Sequence, residues 1–520
     1  MVRPSIRSPM RPCRRIWTQP QSPVDRSCWR TRSTRSSGPR HDHAPGRGMN
    51  LVAGVDSSTQ STKVEIRDIE TGDLVATGRA GHPAVHPPAS EQHPDSWWAA
   101  LADALSQVAV HLGDVKAISV VAQQHGLVCL DADGDPIRPA KLWNDTTSAG
   151  QARALVERFG ARAWAQRCGL VPVSSITITK LAWLVENEPH VIARADSFML
   201  PHDFLTFRLT GQRVTDRGDA SGTGWWSPVT GGYEPELLGL VVDDPRGLID
   251  RLPRVLGPQE PAGAVTAQAA ASTGLPVGIP VACGTGDNMG AAYGLGLEPG
   301  DIAMSLGTSG TVYAVTDSPV KDATGLVAGF ADATGRYLPL AATLNATRVT
   351  DTVALWLGAD RAEFAELALE SLPDPSLVLK PYFDGERTPN LPDARGSFFG
   401  LRNDTTRADI ASAAHVGVVC GLMFGTDALA SCGVSTGGQI HLTGGGARSV
   451  AFQQWVADLW GRPVMVYIDG EAAAAGACRQ AAVAATSVEP AWSLVPDRVV
   501  EPRTGVDRHL YRKTYDQAGQ

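Results

Sequence analysis

The chain has 520 residues, too many for one compact core, and this length predicts two large domains or two domains with an appendage. Hydrophobic residues make up 43% of the sequence and the net charge is -8, so we exclude wholesale disorder and a general affinity for nucleic acids or anionic membranes. No uninterrupted apolar stretch is long enough to span a bilayer. The cysteines lie far apart, without a CxxC or a Cys/His cluster, which is typical of reduced thiols in a cytoplasmic protein and not of a disulfide framework or a zinc site: Cys13, Cys28, Cys129, Cys168, Cys283, Cys420, Cys432 and Cys478.

Residues 1–48 differ from the rest of the chain. They are rich in Arg, Ser and Pro, lack hydrophobic periodicity, and contain only Asp25 and Asp42 as acidic residues. Three interpretations are open: an organellar presequence, a nucleic-acid-binding arm, or a stretch that is not translated because translation starts at Met49. We favour the third, because the sequence from Met49 opens at once into a buried strand. On each interpretation the segment is a disordered or untranslated extension without catalytic residues.

After Met49, short apolar runs alternate with helical patterns, which predicts an α/β architecture. The elements predicted for the first part of the chain are strands at residues 51–55, 63–66 and 74–76, a helix at 97–110, a strand at 117–121 and a helix at 180–188, with a polar loop at 56–62. Trp97 and Trp98, at the start of the first helix, are assigned to the core.

A second cycle of elements begins near residue 280. The pattern predicts a strand at 280–283, a GTGDN turn, a helix at 289–297, and two strands at 301–306 and 312–315 on either side of the turn GTSGT. DSSTQST and LGTSGT, each between two strands, indicate one structural device used twice, although two unrelated hairpins remain an alternative. The domain boundary is predicted near residues 285–300, and residues 507–520 are predicted to be a peripheral tail.

Two turns offer groups that could bind phosphate. DSSTQSTK (residues 56–63) presents hydroxyls and backbone N–H groups after a buried strand, where Asp56 could hold Mg²⁺ through water. A P-loop is excluded, because no GxxxxGK[ST] is present. In LTGGGARS (residues 442–449), three glycines before a helix let the backbone approach a nucleotide closely.

Other polar segments are suited to a sugar. Asp287 in GTGDN could accept the proton of an attacking hydroxyl, and Asn288 could bind a neighbouring hydroxyl. QQHG (residues 123–126) and WND (residues 143–145) supply donors, acceptors and an aromatic face for a polyol. An Asp-Asn pair in a glycine-rich turn is also a common turn former, and a lone His such as His125 is usually structural.

Together these motifs resemble the FGGY carbohydrate kinases, from about residue 49 to about residue 482. The first family signature fits SITITKLAWLVEN (residues 175–187), including Lys180 and Trp183, and the second fits residues 396–414. The second then departs from the family pattern, because His415 stands where the family has a large apolar residue and Val416 where it has an acidic one. This departure predicts altered packing behind the site.

The resemblance implies two actin-like (ribonuclease H-like) ATPase domains, at residues 49–290 and 291–490, with a tail at 491–520 and an interdomain cleft. It implies ATP and Mg²⁺ as cofactors, a small sugar as substrate, Asp287 as general base and Asp56 as the residue that positions Mg²⁺. The chain alone leaves open whether it acts as a monomer or a homodimer. The implied ligand contacts are Gln124, His125, Trp143, Asp145 and Asn288 for the sugar, Ser57, Ser58, Thr59, Thr62, Gly307, Thr308 and Ser309 for phosphates, and Gly444, Gly445, Gly446 and Ala447 for adenosine.

Within the family, the motifs are most similar to those of xylulokinases. QHG, WND, SLGTSG, GERTP at residues 385–389 and the GD-x-SGT stretch at 218–223 all fit, although some xylulokinases have Met where Gln124 stands. The Arg-Glu pair and the Gln after the catalytic Asp that are typical of glycerol kinases are absent. A ribulokinase or gluconokinase remains an alternative, as does a non-kinase ATPase of the actin and chaperone type, which would not need Asp287, Asn288, His125 and Trp143.

Overall fold

A computed structural model describes residues 50–370, 372–468 and 471–519. The predictions made for residues 1–48, including Cys13 and Cys28, lie outside the described residues. The six other cysteines are free thiols.

The N-terminal part of the chain carries the first fifteen strands and twelve helices. The strands are β1 Leu51–Ser57, β2 Ser61–Asp68, β3 Leu74–Gly81, β4 Glu91–Gln92, β5 Val115–Ala122, β6 Val128–Leu130, β7 Ala140–Lys141, β8 Ser197–Met199, β9 Val214–Asp216, β10 Trp226–Ser227, β11 Gly232–Tyr233, β12 Arg254–Leu256, β13 Gly263–Ala264, β14 Pro280–Val281 and β15 Thr285–Gly286. The helices are α1 Pro94–Ser106, α2 Ala109–Leu112, α3 Ala149–Phe159, α4 Ala161–Cys168, α5 Thr177–Asn187, α6 Pro189–Arg194, α7 Pro201–Thr210, α8 Arg217–Ser221, α9 Pro235–Leu238, α10 Pro245–Ile249, α11 Ala267–Thr273 and α12 Asp287–Leu295.

The C-terminal part continues the numbering. Its strands are β16 Ile302–Leu306, β17 Gly310–Ala314, β18 Ala328–Ala331, β19 Tyr337–Thr343, β20 Val378–Lys380, β21 Ser397–Phe399, β22 Ile440–Thr443, β23 Val464–Val466 and β24 Arg498–Val500. Its helices are α13 Thr347–Leu357, α14 Arg361–Leu367, α15 Arg407–Ser431, a 3₁₀ turn at Gly445–Arg448, α16 Val450–Trp460, α17 Ala472–Thr486 and α18 Arg508–Gln517.

Two large mixed sheets organise the molecule, and they share one topology. The first runs β13-β14-β5-β1-β2-β3, with β15 added to β5, and the second runs β24-β23-β22-β16-β17-β19-β18. In each sheet the first strand along the chain pairs antiparallel with the second and parallel with a later one, β5 or β22. The repeated order and directions confirm both the α/β prediction and the duplicated fold.

The sequence of β1 explains its central position. Every residue of this strand is buried, because LVAGVDS lies between two neighbouring strands with helices over the sheet. Trp97 of α1 is fully buried in the same core and Trp98 packs against it, as predicted.

Helices α12 and α17 cross at glycines. A Cβ atom at Gly476 would collide with the carbonyl oxygen of Gly290, and one at Gly294 would collide with that of Ala472. The absence of side chains therefore allows the two backbones to touch. Cys478 of α17 packs against Val52 of β1, so a helix late in the chain covers the first sheet.

The prediction of a peripheral C-terminal tail is wrong. Strand β24 adds to the edge of the second sheet by pairing with β23, and α18 buries Tyr511 and Tyr515 in the core of the C-terminal part. The two tyrosines are four residues apart and therefore lie on the same face of the helix. The other residues of this short segment are mostly polar, so the sequence analysis did not predict a buried helix.

In the part of the chain that the structure describes, one helix is apolar and long enough to cross a membrane by length and composition alone. This helix is α15, and 72% of its most apolar segment is buried inside the protein. It is therefore the central core helix of the C-terminal part.

Candidate active site

The two predicted phosphate turns are tight hairpins. Asp56 and Ser57 remain in β1, where they pair with Lys63 and Thr62 of β2, so the turn contains only residues 58–60 and not the predicted loop 56–62. Residues 307–309 form an equivalent turn between β16 and β17. The first N–H of each tip bonds across its own hairpin, from Ser58 to the carbonyl oxygen of Ser61 at 3.1 Å and from Gly307 to that of Ser309 at 2.9 Å. The N–H groups of the two residues that follow in each tip can face an anion.

Two of the predicted phosphate ligands have no hydroxyl to offer. The side chains of Ser57 and Thr62 are buried and bond to each other at 3.1 Å, and Thr62 also bonds to His82 Nε2 at 2.9 Å. We therefore correct this assignment: the pair stabilises the base of the hairpin, while residues 58–60 stay exposed enough to reach a ligand.

Thr59 links the first hairpin to the predicted sugar residues. Its hydroxyl donates to Gln123 Oε1 at 3.0 Å and accepts from the indole Nε1 of Trp143 at 2.9 Å. The Thr59 side chain thus points to the sugar side, and only its backbone remains suited to phosphate.

Asp56 lies at the end of β1 with one oxygen unsatisfied. Lys63 Nζ donates to Oδ2 at 3.3 Å and also to Glu471 Oε2 at 2.7 Å, whereas Oδ1 is buried without a partner. Burial raises the pKa of Asp56, against the lowering effect of Lys63. A buried, unpartnered carboxylate oxygen next to a phosphate turn fits Mg²⁺, which often uses one or two carboxylates plus phosphate oxygens. No cluster of three ionisable ligands for a metal is found among the described residues.

The sequence predicted that Asp287 lies in a turn. In the structure it is instead the first residue of α12. It follows β15, whose Thr285 and Gly286 lie beside Val121 and Ala122 of β5. The carboxylate thereby projects from the end of the first sheet, where Asp56 also lies. Its Oδ1 accepts the backbone N–H and the side-chain amide of Asn288, both at 2.8 Å.

The surroundings of Asp287 tune its acidity. Burial raises the pKa of this carboxyl to about 7, and the negative charges of Asp56 and Asp219 act in the same direction. A carboxyl whose pKa lies near neutral pH can accept a proton and release it again, which is the requirement for a general base.

Asn288 connects α12 to both parts of the chain. Its side-chain amide donates to Gln124 Oε1 at 3.0 Å, and its oxygen accepts the hydroxyl of Thr311 in β17 at 3.5 Å. The structure brings Asp287, Asn288 and Gln124 together, as predicted.

His125 has an unusual backbone and a defined tautomer. Its φ angle is 67°, in the left-handed region that non-glycine residues rarely adopt, and such strain is typical of functional sites. Nδ1 lies 2.9 Å from the carbonyl oxygen of Gly222, so Nδ1 carries the proton. Burial lowers the pKa of His125 to about 3, so the ring is neutral and Nε2 is an acceptor for a sugar hydroxyl.

Asp145 does not line the pocket. It is fully buried, and Oδ1 accepts the backbone N–H of Thr147 at 3.0 Å and its hydroxyl at 2.5 Å. Lys141 Nζ lies 3.4 Å from Oδ2. Because Asp145 is fully buried and both of its carboxylate oxygens have partners within the protein, it does not contact a sugar as predicted. It shapes the loop that carries Trp143.

The three-glycine turn is partly ligand-facing. Gly444 and Gly445 are exposed, and Gly444 has a φ of 83° and no room for a Cβ beside Leu306. Ala447 is fully buried in the apolar core and Gly446 packs against Leu306. The prediction that Ala447 touches adenosine is therefore wrong for its side chain, whereas Gly444 and Gly445 offer open backbone.

Comparison with known proteins identifies the family. The chain matches the N-terminal domain of the FGGY family of carbohydrate kinases over residues 51–294 and the C-terminal domain of that family over residues 302–485. The chain belongs to the FGGY family of carbohydrate kinases.

This carbohydrate kinase has similar relatives among characterised proteins. It is 49% identical to the xylulose kinase of Streptomyces rubiginosus over 87% of this chain and 92% of that protein. It is 50% identical to the xylulose kinase of Streptomyces coelicolor over 83% and 87% of the two chains. The crystal structure of xylulose kinase from Bifidobacterium adolescentis superimposes with a TM-score of 0.80 and 39% identity, covering 90% of this chain and 99% of that one.

The departure from the second FGGY signature is a packing feature. His415 is buried between Phe364 and Phe452, with ring centroids at 5.2 and 4.7 Å, and its Nδ1 donates to the carbonyl oxygen of Ala411 at 2.8 Å. Burial lowers its pKa to about 4, so the ring is neutral. Val416 is also buried. His415 and Val416 thus stand in the core of the C-terminal domain, and the change of packing relative to the family stays a prediction.

A buried ionic cluster behind Asp287 escaped the sequence analysis. His202 Nδ1 lies 2.7 Å from Asp219, and Thr285 donates to Asp216 Oδ2 at 2.8 Å. Burial alone would lower the pKa of His202, but the nearby carboxylates raise it to about 9, so it is charged. The sequence carried no clear signal for it, because residues 202–219 contain three arginines beside their three aspartates. The cluster holds β15, and with it the start of α12.

Proposed function

We propose that this FGGY kinase transfers the γ-phosphate of ATP to the terminal 5-hydroxyl of D-xylulose, giving D-xylulose 5-phosphate and ADP. The observation that carries the proposal is the position of Asp287, between Asp56 beside the first hairpin and the Gln124–Asn288 pair on the sugar side. The choice of sugar is supported by the xylulose kinases that the chain resembles at 49–50% identity.

The nucleotide would be held by backbone rather than by a P-loop lysine. The tips at residues 59–60 and 308–309 would present N–H groups to the phosphates, and Gly444 and Gly445 lie where an adenosine could pack without meeting a Cβ. Thr347 fixes the second tip, because its hydroxyl donates to the carbonyl oxygen of Gly307 at 2.8 Å.

Mg²⁺ would be held by Asp56 through Oδ1, directly or through water, together with the phosphates. It would neutralise charge on the β- and γ-phosphates. Lys63, bonded to both Asp56 and Glu471, keeps the Asp56 carboxylate at the mouth of the hairpin.

Asp287 would accept the proton of the sugar hydroxyl as the oxygen attacks the γ-phosphorus. The bond between that phosphorus and the bridging oxygen breaks, and ADP leaves. Because catalysis of phosphoryl transfer is mostly positioning and electrostatics, the fixed start of α12 matters as much as the basicity of Asp287.

Sugar recognition would use complementary polar groups. Nε2 of His125 would accept a hydrogen bond from a sugar hydroxyl. Gln124 and Asn288 are already oriented by their mutual hydrogen bond. Trp143, oriented by Thr59, offers an apolar ring face. An epimer that misdirects one hydroxyl leaves a buried group unpaired, at a cost of about 1–3 kcal/mol.

A coupled assay of ADP release over D-xylulose, D-ribulose, gluconate, glycerol and a sugar-free control tests this proposal. We expect D-xylulose to give the highest kcat/KM and D-ribulose to be slower by roughly ten- to a hundredfold. A tenfold preference for another of these substrates would overturn the choice of sugar and leave the kinase assignment intact.

We propose a cytoplasmic location for the reaction, which the free thiols of the described cysteines support. Five of these cysteines are buried: Cys129, Cys168, Cys283, Cys420 and Cys478.

A further inference from the structure

Gln123 lies beside the two predicted sugar residues Gln124 and His125, at the end of the first sheet. It follows strand β5 directly and is only 1% exposed. Its backbone N–H donates to the carbonyl oxygen of Ser57 at 3.0 Å, so the residue continues the pairing of β5 with β1 past the end of the strand. The rigid edge of the sheet therefore fixes where the Gln123 side chain begins.

Two hydrogen bonds fix the orientation of the Gln123 amide. The indole N–H of Trp143 can only donate, and its acceptor is the hydroxyl of Thr59, at 2.9 Å. The Thr59 hydroxyl donates its own proton to Gln123 Oε1, 3.0 Å away. This relay, Trp143–Thr59–Gln123, runs in one direction, so Oε1 lies on the Thr59 side of the amide and Nε2 lies on the other side.

The relay is anchored in the core of the N-terminal domain. Gln92 Nε2 donates to the carbonyl oxygen of Thr59 at 3.0 Å, and Gln92 Oε1 accepts the indole N–H of the fully buried Trp97 at 2.8 Å. Thr59 therefore cannot turn without breaking hydrogen bonds of both its side chain and its backbone. The Gln123 amide is thus held in place before any ligand binds.

The amide nitrogen of Gln123 is buried, and no hydrogen-bond partner for it exists among the described residues. Gln124 repeats this pattern. Its Oε1 accepts the side-chain amide of Asn288 at 3.0 Å, and its Nε2 is also buried without a partner in the described ranges. Two consecutive glutamines thus use their acceptors within the protein and keep their donors. Because a buried donor without an acceptor is costly, the pair indicates a ligand that supplies acceptor oxygens.

We propose that Gln123 is a further sugar-binding residue, whose Nε2 donates a hydrogen bond to an oxygen of the ketose. This inference rests on the proposed function. A sugar oxygen is favoured over a phosphate oxygen because Gln123 Oε1 faces Thr59 of the first hairpin, so Nε2, on the other branch of the planar amide, is turned away from that hairpin. Trp143, at the other end of the relay, offers its ring face to the same ligand.

The test removes the donor from the protein and, separately, one oxygen at a time from the sugar. Calorimetry without nucleotide gives the Kd of D-xylulose and of five analogues that each lack one of its five oxygens, and a separate titration gives the Kd of MgATP. We expect Gln123→Met to weaken the binding of D-xylulose about tenfold. The same variant should leave one analogue unaffected, because that analogue already lacks the oxygen that accepts from Nε2.

Gln123→Glu is the second variant. Its carboxylate still accepts the Thr59 proton but has no proton to donate, so it should bind D-xylulose at least as weakly as Gln123→Met does. The matched control is Gln268→Met, on the exposed surface of α11, which should leave every Kd unchanged. A thermal unfolding midpoint close to that of the wild type shows that a variant is folded.

Three results would overturn this inference. Equal weakening for D-xylulose and all five analogues would give Gln123 a merely structural role, and an unchanged Kd for D-xylulose in both folded variants would show that Nε2 contacts no sugar oxygen. A rise in the Kd of MgATP alone would place the amide against a phosphate. The proposed function fails separately, if the wild type phosphorylates another sugar better than D-xylulose, and the same comparison is then made with that sugar and its analogues.

Discussion

Asp287, the proposed general base, shows how burial and neighbouring charges change the acidity of an ordinary carboxyl. It begins a helix, where the backbone N–H groups would favour the anion, yet burial and two neighbouring carboxylates raise its pKa to about 7. The opposing effects leave it partly protonated near neutral pH.

The pH dependence of turnover follows from this pKa. The wild type should gain kcat/KM as the pH rises through about 7, because Asp287 must be ionised to accept the hydroxyl proton. Asp287→Asn keeps the shape of the side chain, and we expect kcat to fall about a hundredfold or more while calorimetry still detects D-xylulose binding. Wild-type turnover in this variant, or a flat profile between pH 6 and 8 in the wild type, would show that Asp287 is not the base.

Asp287 should also cost the protein stability. Its folded pKa of about 7 lies above the ordinary value of 3.8, so ionisation disfavours the fold as the pH rises from about 4, with the full effect above pH 7. Asp287→Asn should therefore melt at a higher temperature than the wild type at pH 8, and the difference should shrink toward pH 4. The control is Asp103→Asn, on the exposed face of α1. It should leave the melting temperature unchanged at both pH 8 and pH 4. An Asp287→Asn variant less stable than the wild type at pH 8 would contradict the unfavourable ionisation of Asp287 in the folded protein.

At the scale of elements, the crossing of α12 and α17 sets the positions of Asp287 and Glu471. Asp287 begins α12, and Glu471, which holds Lys63, immediately precedes α17. Both helix starts thus depend on how closely the two helices approach at Gly290 and Gly476.

Gly476→Ala tests this dependence. The added methyl group would meet the carbonyl oxygen of Gly290, and we expect a loss of about 1–3 kcal/mol of unfolding free energy together with a fall in kcat. Gly421→Ala is the matched control, since Gly421 lies inside the buried helix α15 with open space around it and should be neutral or slightly stabilised. The two variants are compared by denaturant unfolding and by ADP release. Equal stability and equal turnover would contradict the dependence of the two helix starts on this crossing.

The sequence predicted elements better than it predicted contacts. Strand β1 and the helix that follows the three glycines could be located because apolar runs and glycines mark them. The bounds of the first hairpin could not, because Asp56 and Ser57 are polar residues that nonetheless pair within β1. The bond from Lys63 to Glu471 joins residues 408 positions apart, and such pairing leaves no local pattern.

The sequence predicted the candidate site as a set of residue types. The structure shows which of these residues lie together and which do not. Asp287, Asn288 and Gln124 come together because they follow adjacent strands of one sheet. Asp145 was misjudged, because a carboxylate in a polar motif looks the same in sequence whether it faces a ligand or closes its own loop.

At the scale of the whole molecule, two copies of one sheet present equivalent hairpins, and the start of α12 contacts both copies. Asn288 bonds to Gln124 of the N-terminal domain and to Thr311 of the C-terminal domain. Lys63 and Glu471 join the two parts of the chain a second time. Under the proposed function, closing the two domains on ATP and sugar would align the hydroxyl with the γ-phosphate and exclude water.

The most direct test of the central claim is a two-dimensional proton–phosphorus correlation NMR spectrum, with the sugar protons assigned, of the product formed from D-xylulose, ATP and Mg²⁺. We expect one sugar phosphate, whose phosphorus correlates with the two protons of C5 and not with those of C1, formed in step with ADP. ADP formed with inorganic phosphate but no sugar phosphate, or phosphate attached to another carbon, would contradict it.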